Sequence, residues 1–325
     1  MFSLRPAWRR RARLTMMTLL GLAGALGALW WALFALEPYT VSPADWQARY
    51  TPPPVAAEAL AVQVTPADAG ALGGHAFDLS WRSFDGELVQ GRIVYPADPA
   101  TAAQLFPLVL ALHALGRTHW RWWQGEFRGR PTIENTHRLA ALALAQGHAV
   151  LAIDARGHGT RKVEGAPLPS QLLRDLHWWG RREPYERMVV DTVRDWRVLL
   201  DWAVRQPAID AGRIGAVGYS MGAQVALLLA AADSRVGAVA AVVPPALDAK
   251  VALVAPVLAV PRMPARRVWL LTADDDEYAP QAANAALFEA LPGADKQHLR
   301  FAGGHLLPED YVAALEPWFV VAAGR

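Results

Sequence analysis

A chain of 325 residues with 53% hydrophobic side chains is long enough for one large core or two smaller ones. The absence of cysteine excludes disulfides, thiolate metal sites and a cysteine nucleophile, and leaves the redox compartment open. The formal charge of +2 hides an asymmetry: five of the 32 basic side chains precede residue 14, leaving 27 against 30 acidic ones, so no basic face for nucleic acid is implied.

Residues 1–13 carry Arg5, Arg9, Arg10, Arg11 and Arg13, and the first acid is Glu37. The run from Leu14 to Leu36, LTMMTLLGLAGALGALWWALFAL, holds no charge. At about 1.5 Å per helical residue it reaches roughly 35 Å, enough for a hydrocarbon core of about 30 Å. It predicts a single-pass transmembrane helix over 14–36 that remains uncleaved as a signal anchor in the cytoplasmic membrane, in contact with lipid. Arginines on its N-terminal flank place the basic segment 1–13 in the cytoplasm, and Trp30 and Trp31 suit the far interface. The bulk of the chain then lies in the periplasm or outside the cell. The alternative is a cleaved signal peptide, whose apolar region is typically about 7 to 15 residues and ends in a small-x-small site. Trp-Trp-Ala-Leu-Phe-Ala-Leu-Glu, ending at Glu37, offers no clean site of that kind. Gly21, Gly24, Ala25 and Ala28 have small-xxx-small spacing, more often filler than a packing face, so no dimer is predicted and the oligomeric state stays open.

From 37 to 74 the composition shifts to proline, alanine and glycine, including Thr51-Pro-Pro-Pro54, which reads as a spacer, part extended. After it, FDLSWRS and LVQGRIVYP flank Asp85-Gly86, a hairpin signal. PLVLALH (107–113), HAVLAID (148–154), RIGAVGY (213–219), VGAVAAVV (236–243) and RVWLLT (267–272) are apolar nearly throughout, as strands buried on both faces of a parallel sheet are. Val189, Val193, Trp196, Leu200 and Ala203 form one helical stripe. Alternating strands and helices predict a doubly wound α/β domain over about 75–325, with a mostly parallel sheet. Residues 160–183 are long for a strand-to-helix link and read as a lid or binding loop.

Gly218-Tyr219-Ser220-Met221-Gly222 joins the strand RIGAVGY to the helical run VALLLAAA. A serine on so sharp a turn projects above the sheet, glycines two places away on either side relieve the crowding, and the Met221 amide opens a helix that favours an anion. With seven serines and 25 glycines, chance supplies only about 0.04 such patterns, so a serine that merely caps a helix is the weaker reading.

These segments resemble the α/β-hydrolase family, from about residue 75 onward. Gly218–Gly222 is similar to its nucleophile elbow, Leu112-His-Ala-Leu-Gly-Arg-Thr118 to its oxyanion loop, and Asp154-Ala-Arg-Gly-His-Gly159 to the loop after its fourth strand. Val268–Pro280 resembles its acid segment, and Ala302-Gly-Gly-His305 its histidine segment. The resemblance implies the α/β-hydrolase fold, a serine hydrolase of the esterase or dienelactone-hydrolase type, and no cofactor or metal.

Chemistry points to the same trio. Serine needs a neighbouring base, usually histidine, and histidine needs an anion to fix its tautomer. His305 follows HLRFA, and Asp274, Asp275, Asp276 and Glu277 follow RVWLLT. Asp276 is the choice among the acids, because in the family the acid commonly lies three residues after a small strand-ending residue and four before a proline. The other reading is that all four acids form a solvated or cation-binding turn. His113 and His158 are read as structural. The expected oxyanion donors are the amides of Met221 and Leu115. Ala114 stands where the family usually has glycine, and would be strained if that position needs positive φ. Trp178 and Trp179, and Trp120 with Trp122 and Trp123, read equally as an acyl pocket, as packing, or as contacts with lipid headgroups. The expected activity is hydrolysis of a small-molecule carboxylic ester through an acyl-enzyme. Amidase or peptidase activity comes second, and a non-catalytic binding protein that keeps the fold third.

Overall fold

The computed structural model describes residues 5–55, 60–264, 267–293 and 295–323. Its strands are β1 Gln63–Ala67, β2 His75–Arg82, β3 Leu88–Tyr95, β4 Phe106–Leu112, β5 Glu126–Phe127, β6 Arg130–Pro131, β7 Ala149–Ile153, β8 Ile209–Tyr219, β9 Val236–Val242, β10 Arg267–Ala273 and β11 Asp295–Phe301. Nine of these form one sheet in the order β1-β2-β3-β7-β4-β8-β9-β10-β11, and β5 and β6 pair with each other in a separate two-stranded sheet. Pairing is antiparallel from β1 to β7 and parallel from β7 to β11. The Asp85-Gly86 turn closes the β2–β3 hairpin as expected, with Arg82 opposite Leu88 and Gly86 at φ 83°.

The helices are α1 Arg5–Phe34, α2 Pro43–Tyr50, α3 Thr136–Ala145, α4 Pro169–Trp179, α5 Arg182–Ala203, α6 Met221–Ala232, α7 Pro256–Ala259, α8 Gln281–Ala290, α9 Tyr311–Ala314 and α10 Glu316–Ala323. Alternate residues of each central strand enter different cores. Leu108, Leu110 and Leu112 of β4 join Val189, Val193, Trp196 and Leu200 of α5 and all the leucines of α6 on one face. Val109 and Ala111 join Leu139, Ala140 and Ala143 of α3 and Trp318 of α10 on the other. Helices cover both faces, which is why these strands lack a polar alternation.

Two expectations need correction. Residues 37–74 are more than a spacer: Ser42 caps α2 by accepting from the Asp45 amide, and α2 buries Trp46 and Tyr50. Trp46 Nε1 and the Tyr50 hydroxyl both donate to the Leu253 carbonyl, at 3.1 and 2.9 Å. Two aromatic rings four residues apart gain enough burial to dock a short helix that proline-rich surroundings disguise. Beyond it, β1 extends the sheet, paired with β2. The segment 160–183 likewise is no bare loop, because α4 occupies 169–179 and packs Leu172, Leu173 and Leu176 against the first core.

Among the described residues, Arg11–Phe34 of α1 is long and apolar enough to cross a membrane by length and composition. Its side chains from Arg11 to Leu29 are all exposed, and the globule first covers it at Trp30.

Candidate active site

Ser220 follows the last residue of β8 and precedes the first of α6, with φ 56° and ψ −120°. Such a backbone is strained for a residue with a Cβ, and it persists because its neighbours fix it. The Ser220 amide donates to the Val242 carbonyl of β9 at 2.8 Å. A Cβ at Gly218 would lie 2.1 Å from the Gly222 carbonyl oxygen, and one at Gly222 would lie 2.1 Å from the Leu112 carbonyl oxygen. Both glycines are therefore steric requirements, one for the turn itself and one for the end of β4 to press against it.

The other two groups come from the loops after β10 and β11, beyond the C-terminal ends of parallel strands, where ligand sites of open α/β sheets gather. Amides of Asp274 and Asp275 donate to the carbonyls of Phe301 and Gly303, both at 2.9 Å, which stitches the acid loop to the histidine loop. His305 Nε2 lies 2.8 Å from Ser220 Oγ, and Nδ1 lies 3.0 Å from each oxygen of Asp276. This network assigns the proton to Nδ1 and leaves Nε2 to accept from the serine. The Asp276 side chain is fully buried and that of His305 is 13% exposed. The Tyr278 backbone amide donates a hydrogen bond to Asp276 Oδ1 at 2.8 Å, and its ring stands edge-on to the imidazole at 4.7 Å.

The neighbouring acids have other partners. Asp274 is ion-paired with Arg300, Asp275 is exposed, and Glu277 Oε2 accepts from the His305 backbone amide at 3.2 Å. Among the described residues no group of three or more potential ligands is placed to hold a metal ion. His113 and His158 are structural. Nε2 of His113 accepts from the Ala155 amide at 3.0 Å and its Nδ1 donates to the Ala114 carbonyl at 2.9 Å, while His158 Nδ1 donates to Arg156 O at 2.8 Å.

The loop after β4 resolves the concern over Ala114, which lies outside the positive-φ residues; Gly116 takes φ 73° instead, in a turn closed by the Arg117 amide on the Ala114 carbonyl. Leu115 is half-buried in that turn, and Met221 opens α6 at the elbow.

Tryptophans of the expected acyl pocket have other neighbours. Trp122 and Trp123 are buried in the second core, and Trp120 stacks on Phe127 with the Arg92 guanidinium 4.6 Å from its ring. Trp178 meets Trp30 and Trp179 meets Phe34, both on α1. An apolar cavity of about 340 Å³ instead adjoins the acid loop, lined by Pro244, Pro245, Leu247, Val257, Pro280 and Leu287. A larger one of about 670 Å³, between Tyr39–Arg49 and α5, is lined by charges of both signs and by none of Ser220, His305 and Asp276.

One positioning residue was not anticipated: the Tyr219 hydroxyl donates to the His305 carbonyl. Its signal in the sequence was slight, a polar-tipped aromatic closing the apolar run Ile214–Tyr219 at the end of β8.

The family model described as "Alpha/beta hydrolase family" matches residues 108–325, more than half of the chain. The chain belongs to the alpha/beta hydrolase family. Solved structures show the same fold. An acetyl xylan esterase from Thermoanaerobacterium sp. JW/SL YS485 is similar at 15% identity and TM-score 0.61, over 88% of this chain and 96% of that one. A cold-adapted esterase from an Arctic intertidal metagenomic library is similar at 20% identity and TM-score 0.55, over 77% and 94%. A putative dipeptidyl aminopeptidase IV from Bacteroides ovatus is similar at 15% identity and TM-score 0.53, over 79% of this hydrolase and 35% of that chain. Comparison with curated proteins finds no match.

Proposed function

We propose that the chain is a membrane-anchored serine hydrolase of carboxylic esters. The observation that carries this reading is the continuous relay from Asp276 through His305 to Ser220 Oγ. Ser220 attacks the acyl carbonyl while His305 Nε2 takes its proton. The amides of Met221 and Leu115 stabilise the oxyanion, and His305 then protonates the leaving alcohol. Water, activated by the same histidine, attacks the acyl-Ser220 ester and frees the acid. Two of the similar structures being esterases supports the choice of ester over amide. Amide cleavage by the same triad is the second reading, kept because another similar structure is described as a putative peptidase.

Anchoring rests on α1: an uncharged span behind a run of arginines, which places residues 1–13 in the cytoplasm and the triad on the far side of the membrane. A panel of esters and peptides, run beside labelling with a fluorophosphonate probe, tests the activity. Ser220→Ala should abolish labelling and most ester turnover while the fold survives, since the hydroxyl is not a packing element. Activity retained within about tenfold sinks the mechanism. Retention of the chain in alkali-washed membranes tests the anchor, and a shortened soluble form would favour the cleaved signal.

A further inference from the structure

α1 does more than tether the catalytic domain, because its end fixes how the domain sits. The apolar span Arg11–Phe34 has 24 residues. With Arg11 and Arg13 at the other interface, about 20 residues from Leu14 at about 1.5 Å each cross a hydrocarbon core of about 30 Å, which puts the last turn, Trp30 to Phe34, at the boundary between hydrocarbon and headgroups. At that level α1 is clamped to α4. Trp30 Nε1 donates to the Trp178 carbonyl at 3.0 Å, and the Trp30 and Trp178 rings meet edge-on at 5.9 Å. Phe34 and Trp179 meet edge-on at 5.1 Å. Gly180 admits the close approach, since a Cβ there would lie 2.6 Å from the Phe34 carbonyl oxygen. Arg182 continues the clamp by donating to the Glu37 carbonyl at 3.0 Å.

Despite these contacts Trp178 is 60% and Trp179 47% exposed. α4 turns Leu172, Leu173 and Leu176 inward, which puts Trp178 on the opposite, outward side with Arg174, while Trp179, seven residues after Leu172, ends the helix beside Phe34 and stays half-exposed. Arg174 and Arg181 flank the pair with side chains 61% and 67% exposed, and each stands more than 3.5 Å from Asp175. A helix of this kind, apolar aromatics beside arginines at the height where a span leaves the hydrocarbon, is complementary to a leaflet that carries anionic phosphates.

We propose that α4 is a second membrane contact: Trp178 and Trp179 lie in the headgroup layer of the leaflet from which α1 emerges, with Arg174 and Arg181 toward its phosphates. This rests on the anchoring reading above. It also orients the enzyme. α4 follows β7, and the Lys250 carbonyl that Arg182 also holds follows β9, so the parts that grip α1 lie at the C-terminal edge of the sheet. Ser220, after β8, stands on that same edge, which α4 thereby keeps toward the bilayer.

The absence of cysteine makes the test direct. Leu22→Cys, Trp178→Cys and Glu289→Cys variants of the full chain each carry one environment-sensitive fluorophore and are reconstituted in vesicles of phosphatidylethanolamine and phosphatidylglycerol. The vesicles hold nitroxide lipids labelled either near the headgroup or near the chain end. Expected are strongest quenching at position 22 by the deep nitroxide, quenching at 178 at least about twofold stronger by the shallow nitroxide than by the deep one, and none at 289. Trp179→Cys repeats the reading in case the first site loosens the Trp30 contact. Deep quenching at 22 with none at 178 and 179 overturns the inference and leaves the anchor standing, as it would if a protein partner covered α4. No quenching at 22 removes the anchor, and the inference with it.

Discussion

The hydroxyl of Tyr219 donates to the carbonyl of His305 at 2.8 Å and accepts from the Leu307 amide at 3.0 Å. Tyr219 is the residue immediately before Ser220 and is 1% exposed. One side chain thus ties the elbow to the histidine loop, whose His305 Nε2 lies 2.8 Å from Ser220 Oγ. Because the tie is buried, its loss leaves the Leu307 amide and the His305 carbonyl without their partner.

Tyr219→Phe keeps the ring and removes both bonds. The expected cost in stability is about 1–3 kcal/mol. A displaced histidine misaligns proton transfer, so kcat should fall about tenfold while KM stays within about twofold. Kinetics well below the melting temperature, with the rate of fluorophosphonate labelling, separate positioning from unfolding. Unchanged kcat in a destabilised Tyr219→Phe would make Tyr219 structural only.

Among the acids, burial singles out Asp276. Asp276→Asn should leave the geometry largely intact and lower kcat by up to about 10⁴, because an amide beside Nδ1 favours the wrong tautomer. Asp274→Asn loses its pair with Arg300, a half-exposed contact, and Asp275→Asn changes an exposed charge. Both should stay within about tenfold in turnover. A fully active, folded Asp276→Asn would end the assignment.

The sheet was legible because strands such as PLVLALH carry their burial in composition, and the meeting of Ser220, His305 and Asp276 because each sits in a short local pattern whose order along the chain the fold dictates. What was hidden lies in long-range contacts. Nothing near Trp46 and Tyr50 tells that Leu253 accepts from both, so a docked helix read as spacer. Trp178 and Trp179 were ambiguous for the same reason, since their partners lie in α1. Whether Ala114 needed a positive φ could not be read from the sequence, because the backbone of a turn admits more than one position for its left-handed residue and here Gly116 takes it.

Asp195 of α5 is the most heavily bonded carboxylate beneath the loop after β7. It receives Arg156 at 2.7 and 2.8 Å, Arg161 at 2.7 Å and the Ser83 hydroxyl, and is fully buried. Removal of one member of such a cluster strands the others. Asp195→Ala leaves two buried guanidinium groups short of their counter-ion, and should cost about 3–5 kcal/mol in denaturant unfolding. A loss below about 1 kcal/mol would mean that Asp85 and Glu87, which also pair with Arg156, suffice.

Acid should destabilise the domain through buried imidazoles, His113 and His158 among them, before carboxylates of ordinary pKa titrate. Burial, reinforced by the neighbouring His113, pushes His158 down to about 3. Burial also lowers His113, against the attraction of Asp154. In the unfolded chain both titrate near the ordinary value of about 6.5. Their contribution is therefore complete above that value, and as pH falls toward 3 the unfolded state takes up protons that the folded state refuses. Each group that stays neutral on folding removes up to about 1.4 kcal/mol of stability per pH unit below about pH 6.5. The window from pH 6.5 to 5 lies above the usual carboxylate range of about 4, so the histidines dominate there. His158→Gln removes one titrating group, and should flatten the slope of unfolding free energy against pH in that window by about 1 kcal/mol per unit. Equal slopes for the two proteins would show that His158 takes up its proton in the folded state.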